Sequence, residues 1–166
     1  MVKKLNLLFV TFFGTGYIKI APGTLASLFT SIIFFYLFKF FVSVEYFFLL
    51  FIFTVFIFIY SLYAIKTLKH EFKEIDASEI VIDEVVGQTI PILMIEYITF
   101  LQSNTFGGAF HLYVVSFFLF RFFDIFKPFL IGYFDKNYKN SFGIMFDDVL
   151  AGIYTSLIIF LQIKLI

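Results

Sequence analysis

Residues 46–65 read YFFLLFIFTVFIFIYSLYAI, twenty positions without a single charged side chain. At 1.5 Å per residue a helix of that length spans about 30 Å, the thickness of a bilayer's hydrocarbon layer. Nothing constrains the fold more. The rest of the chain agrees: 61% of its 166 residues are hydrophobic and 14% charged, where a soluble domain is nearer half and a quarter. With 24% aromatic residues in long runs, no ordinary core could hide this surface from water. The expected fold class is all-α, a polytopic integral membrane bundle forming one domain over residues 1–166.

Apolar runs over residues 25–42, 46–65, 85–101, 110–123 and 149–163 predict about four to five membrane-embedded helices. The run 85–101 is interrupted by Gly87, Pro91 and Glu96, and 110–123 is short. Residues 5–13 form a short amphiphilic segment expected at the interface. Lys3 and Lys4 begin the chain as a signal peptide would. No small-residue cleavage site follows, so residues 1–24 are read as part of the mature protein. If the five runs cross alternately, Lys3, Lys4, Lys66, Lys69, Lys73, Lys136 and Lys139 fall on one side. Cytoplasmic loops are enriched in lysine and arginine, which makes that side the inside. Lys39 and Lys164 lie near the other face, where long side chains snorkel.

On this map four polar stretches reach one level of the membrane: GTGYIKIAPGT, DASEIVIDEVVG, FRFFDIFKP and FGIMFDDVLAG. In FRFFDIFKP the chain's single arginine, Arg121, precedes Asp124 and Lys127 at three-residue steps. On a helix they occupy an arc of roughly 120°, a charged stripe on an otherwise lipid-like surface. Glu79 and Asp83 are four apart and would share a helix face, while Asp147 and Asp148 stand ahead of the last apolar run. Taken singly, each has a plain structural reading: a helix-end ion pair, an N-cap, a solvated acid, a turn. Their joint arrival at one level is what points to a site.

A charge at the bilayer centre costs roughly 2.5–3.5 kcal/mol, and these acids outnumber the cations available to them. A divalent cation would neutralise the surplus. Carboxylate ligands with no cysteine in the chain favour Mg²⁺ over zinc. Gly87 and Gly152 follow the two acid clusters by one turn and let a helix or headgroup approach closely. Arg121 offers a planar fork for phosphate oxygens and Lys127 a mobile point charge. Acids, metal and cations around one cavity make a phosphoryl-transfer site. The competing reading is a non-enzymatic transporter or assembly subunit with a charged intramembrane path, which would spread its charges through the bilayer's depth. A net charge of zero gives no electrostatic argument for nucleic acid.

The ordered pieces GTGYIKIAPGTLASL, EIVIDEVVG, FRFFDIFKP with the later Asp135, and GIMFDDVLAG cover residues 14 to 152. Together they resemble the phosphatidylglycerophosphatase A family. The sequence departs from the family's usual pattern at Phe129-Leu130-Ile131 after Pro128, at KNSFGIM, and at Ala26, positions that affect loop geometry more than charge. The resemblance implies a Mg²⁺-dependent phosphatase of the bacterial inner membrane, multi-pass with its site facing the cytoplasm. Its lipid substrate would be phosphatidylglycerophosphate. The implied roles are catalytic for Asp83, Glu84, Asp124 and Asp148, and phosphate-binding for Arg121, Lys127 and Thr24. Glu79, Asp83, Asp147 and Asp148 are implied as metal ligands. A thiol mechanism is excluded by the absence of cysteine, and an aspartyl-phosphate mechanism of the haloacid dehalogenase type by the absence of Asp-x-Asp. Metal-assisted attack by water, with a carboxylate as base, is the chemistry expected, the alternative being a covalent acyl-phosphate on one of the aspartates.

Overall fold

The computed structural model describes residues 2–40, 44–72, 77–103 and 107–165. Lys73 lies outside them. Among these residues seven α-helices follow one another: α1 (Val2–Val10), α2 (Pro22–Phe40), α3 (Val44–Thr67), α4 (Ile82–Ser103), α5 (Phe110–Phe126), α6 (Leu130–Asn137) and α7 (Ser141–Leu165), with a 3-10 turn at Thr15–Tyr17. The described residues contain no strand. Among the described residues four helices are long and apolar enough to cross a membrane: α2, α3, α4 and α7. At seventeen residues α5 is shorter and carries Arg121 and Asp124 near its end.

The middle of the bundle is α4, which packs against α2, α3, α5 and α7. Its buried positions include polar Asp83, Gln88, Thr89 and Glu96 as well as Ile92 and Ile95. By contrast α3 presents its aromatic and aliphatic side chains outward, with Ile52 66% and Phe56 60% exposed, as a lipid-facing helix should. Hydroxyls inside the bundle are satisfied within their own helices: Ser27 donates to the Gly23 carbonyl, Thr30 to Ala26, Thr89 to Val85 and Thr155 to Ala151, at 2.7–2.8 Å. With no water in the hydrocarbon layer, such back-bonding removes the cost of a buried donor.

The seam between α4 and α7 depends on missing side chains. A Cβ on Gly87 would come within 2.7 Å of the Asp148 carbonyl oxygen and of the Phe120 ring, and one on Gly152 would collide with the Gly87 carbonyl. Small residues of this kind let helices in lipid touch backbone to backbone. Helix α1 docks along the end of α3. Buried Asn6 donates to Thr67 Oγ1 at 2.8 Å and accepts from the Tyr60 hydroxyl at 2.7 Å, while Val2, Leu5 and Leu8 stay exposed.

Three features differ from the sequence expectation. The last helix begins at Ser141, so Asp147 and Asp148 sit in its second turn and not ahead of it. Helix α4 begins only at Ile82, which leaves Glu79 in the preceding turn, so the shared-face argument for Glu79 and Asp83 does not apply. Between α5 and α7 lies α6, a short helix whose polar face carries Asp135 and whose apolar face includes buried Ile131.

Candidate active site

Four helix ends meet at one end of the bundle: the starts of α2, α4 and α7 and the finish of α5. Asp83 and Glu84 come from the first turn of α4 and Asp148 from the second turn of α7. Each offers a carboxylate oxygen, and the three oxygens lie within 4.8 Å of one another. Asp83 and Asp148 are buried, 8% and 3% exposed. Three carboxylates this close repel one another strongly unless a cation or protons intervene. The close approach is possible because Gly23 of α2 has no side chain; a Cβ there would strike the Glu84 carboxylate.

Arg121 closes one side. Its Nη1 donates to Asp124 Oδ2 at 2.7 Å, lies 3.9 Å from Glu84 Oε1, and reaches Ser27 Oγ of α2 at 3.5 Å. Its Nε is buried without a hydrogen-bond partner, as is Glu84 Oε2. Lys127 closes the other side. Its Nζ donates to Asp147 at 2.7 Å and to Asp135 of α6 at 2.8 Å. Burial alone would lower the Lys127 pKa, but hydrogen bonds and charge from Asp135 and Asp147 outweigh it and raise the pKa. For Asp135 burial pushes upward, while the hydrogen bond and charge of Lys127, with Lys139 and Lys136 behind it, hold its carboxyl below the usual range.

The chain turns sharply to place Lys127. Lys127 itself has φ 45° and Phe129 φ 51°, on either side of Pro128. Side-chain-bearing residues rarely adopt this left-handed region, so the elbow holds local strain next to the charged network.

Of the residues singled out in sequence, Asp83, Glu84 and Asp148 form the trio; Arg121 pairs with Asp124 beside it, and Lys127 with Asp147. Glu79 is not in the trio. It is half-buried in the turn before α4, where the Ser78 hydroxyl is 3.4 Å from its carboxylate. Thr24 is half-buried on the first turn of α2, next to Gly23. Sequence reasoning missed the contact of Ser27 with Arg121, for which a serine in an apolar helix gives no distinguishing signal. It also missed the role of Glu96. Fully buried at the far end of α4, Glu96 accepts hydrogen bonds from the Gly107 and Gly108 backbone amides and from the Tyr113 hydroxyl. A lone acid in an apolar run followed by Gly-Gly was the available clue.

A family model for phosphatidylglycerophosphatase A matches residues 8–163. A Haemophilus influenzae protein named phosphatidylglycerophosphatase A is 38% identical over 148 residues, covering 89% of this chain and 82% of that protein. An Escherichia coli protein of the same name is 31% identical over 89% of this chain and 77% of its own length. A Bacteroides thetaiotaomicron protein named putative phosphatidylinositol-3-phosphatase is 34% identical over 93% of this chain and 91% of its own. No solved structure matches the chain significantly. With the family model extending from α1 to the last turns of α7, the chain belongs to the phosphatidylglycerophosphatase A family.

Proposed function

We propose that this protein hydrolyses phosphatidylglycerophosphate to phosphatidylglycerol and inorganic phosphate at the cytoplasmic face of a bacterial inner membrane, using Mg²⁺. The observation that carries the reading is the buried trio Asp83, Glu84 and Asp148 beside Arg121, at one end of helices able to cross a membrane. A phosphate monoester on a lipid headgroup sits at that depth.

The donor set fits a hard divalent cation. It is all carboxylate, it contains an oxygen with no hydrogen-bond partner (Glu84 Oε2), and neither histidine nor cysteine belongs to it. Hard oxygen donors of this kind suit Mg²⁺. Asp83, Glu84 and Asp148 would hold the ion, with Asp147 and Glu79 as further candidates. When bound, Mg²⁺ supplies Lewis-acid stabilisation of charge on the phosphoryl oxygens.

The chain's own residues do the rest. Arg121 presents its guanidinium to the phosphoryl group, oriented by Asp124, and Thr24 and Lys127 bind further phosphate oxygens. Water's oxygen bonds to phosphorus as the bond from phosphorus to the glycerol oxygen breaks. A carboxylate of the cluster takes the water's proton, and the leaving oxygen is protonated in turn.

The Bacteroides relative's name makes the headgroup the point to test. Purified protein in detergent is given phosphatidylglycerophosphate or phosphatidylinositol 3-phosphate, each with Mg²⁺ or with a chelator. Phosphate release from the first lipid that stops on chelation is the expected result. Faster release from the inositol lipid would reassign the substrate, and release unaffected by chelation would remove the metal.

A further inference from the structure

An apolar groove of about 400 Å³ runs between α2 and α5, with Ser31 and Tyr113 in its floor. Its rim includes Leu28, Ile32, Val114 and Phe118, which are between 36% and 65% exposed. The two walls follow matching patterns. On α2 the lining residues Leu28, Ser31, Ile32 and Phe35 recur at helical spacing, and the position one turn before Leu28 on that stripe is Thr24. On α5 they are Phe110, Val114, Phe117 and Phe118, and one turn beyond Phe117 on that stripe is Arg121. Both walls therefore lead to a phosphate-binding candidate at the same end, where Arg121 meets Ser27. The other end is narrowed by Phe35, whose ring packs edge-on against Phe110 and Tyr113 at 5.3 Å.

We infer that this groove seats one acyl chain of the phosphate-bearing lipid, running from the phosphate site toward the middle of the bilayer. The inference rests on the lipid phosphatase reading above. The dimensions suit it: eight residues separate Leu28 from Tyr36, about 12 Å of helix, against about 15 Å for half the hydrocarbon layer. Alignment with the phosphate-binding side chains selects this groove over its neighbour. A larger apolar groove of about 700 Å³ lies between α3, α4 and α7, lined by Val55, Val86, Ile90 and Met94 among others. On α4 that stripe leads back to Asp83, an acid. Asp83 belongs to the carboxylates proposed to hold the cation, whereas Thr24 and Arg121, proposed to bind the phosphate oxygens directly, both continue the stripes of the α2–α5 groove.

Two measurements test this. The first compares kcat/KM on dipalmitoyl and dihexanoyl phosphatidylglycerophosphate for Val114→Trp, Ile32→Trp and, in the larger groove, Val55→Trp. The long-chain to short-chain ratio should fall about tenfold in the first two, the contribution of roughly two buried methylenes. It should hold within about twofold for Val55→Trp. A fall confined to Val55→Trp, or equal losses on both substrates in the α2 and α5 variants, overturns the assignment. The second needs no turnover: phosphatidylglycerophosphate with a diazirine on one acyl chain is photolysed with the unmodified protein and the labelled peptides are mapped. Labels on α2 and α5 support the groove, even for a preparation that releases no phosphate. Labels concentrated on α3 and α4 overturn it, and so does a groove left unlabelled because a second copy covers it in a dimer.

Discussion

Arg121 is the chain's single arginine, and its guanidinium is shared between Asp124, Glu84 and Ser27 while its Nε has no partner. A guanidinium serving only to anchor a helix end would be largely replaceable by lysine, because an anchor uses the positive charge and not the planar fork. A fork that grips phosphoryl oxygens is not replaceable, since lysine keeps the charge and loses bidentate contact. Arg121→Lys should fold and lose at least about a hundredfold in turnover, near 2.7 kcal/mol of transition-state stabilisation; phosphate release at saturating Mg²⁺ decides it. Asp148→Asn keeps size and removes the charge a cation requires. It should insert and purify normally, with activity down by orders of magnitude and a weakened response of thermal stability to added Mg²⁺. Near-normal turnover at limiting Mg²⁺ would remove Asp148 from the ligand set. Glu96 is the contrasting case, a buried acid at the opposite end of the same helix whose oxygens are engaged by three donors. Glu96→Ala strands those donors at about 1–3 kcal/mol each, so it should lower the melting temperature markedly while the folded fraction retains its specific activity.

Helix α6 is the element whose purpose is least visible in its own sequence. Its apolar residues dock Ile131 inward, and its polar face carries Asp135 to Lys127 across the strained turn at Pro128. Lys127 is thereby held against Asp147 of α7 and positioned beside the trio. Asp135→Asn should leave the fold intact and cost about tenfold in kcat/KM, with the loss partly restored by Asp135→Glu; full activity in the Asn variant would show that Asp147 alone suffices. The sign of the pH effect follows from the lowered Asp135 pKa. The stabilisation is present above the carboxyl's ordinary value of about 4 and is lost as pH falls through its lowered value in the folded protein. The parent should therefore lose this contribution on acidification, and the Asn variant should lack that dependence. How much could be read beforehand varied with the kind of signal. The long apolar run of α3 needs nothing but bilayer thickness, and it came out as one helix from Val44 to Thr67. The start of α7 lies two turns ahead of the apolar run because the Asp147–Asp148 pair interrupts that run in sequence, while the helix continues back through Phe142 to Ser141 and buries both acids. The pairing of Lys127 with Asp135 depends on a left-handed turn at non-glycine residues, which no local propensity announces.

Across the whole molecule, the acids and their two cations gather at one end of the bundle, and Glu96, Lys39 and Lys164 belong to the other. An ion path would need charges at successive depths; among the described residues the polar side chains in the middle of the bundle are the neutral Gln88, Thr89, Ser116 and Thr155, set among buried Ile92, Leu93 and Ile159. The proposed site is thus at one end of the bundle, and Lys3, Lys66, Lys69, Lys136 and Lys139 are all at that acid-cluster end. By the positive-inside tendency this is the end proposed to face the cytoplasm. The chain has no cysteine, so single introduced thiols report sidedness without background. Lys69→Cys, exposed just beyond α3, and His111→Cys, exposed at the start of α5, mark the two ends. In intact cells a membrane-impermeant maleimide should label His111→Cys and spare Lys69→Cys, and permeabilisation should expose both. The opposite pattern would turn the carboxylate trio outward, and a lipid phosphate presented from the cytoplasm could not reach it without first crossing the bilayer.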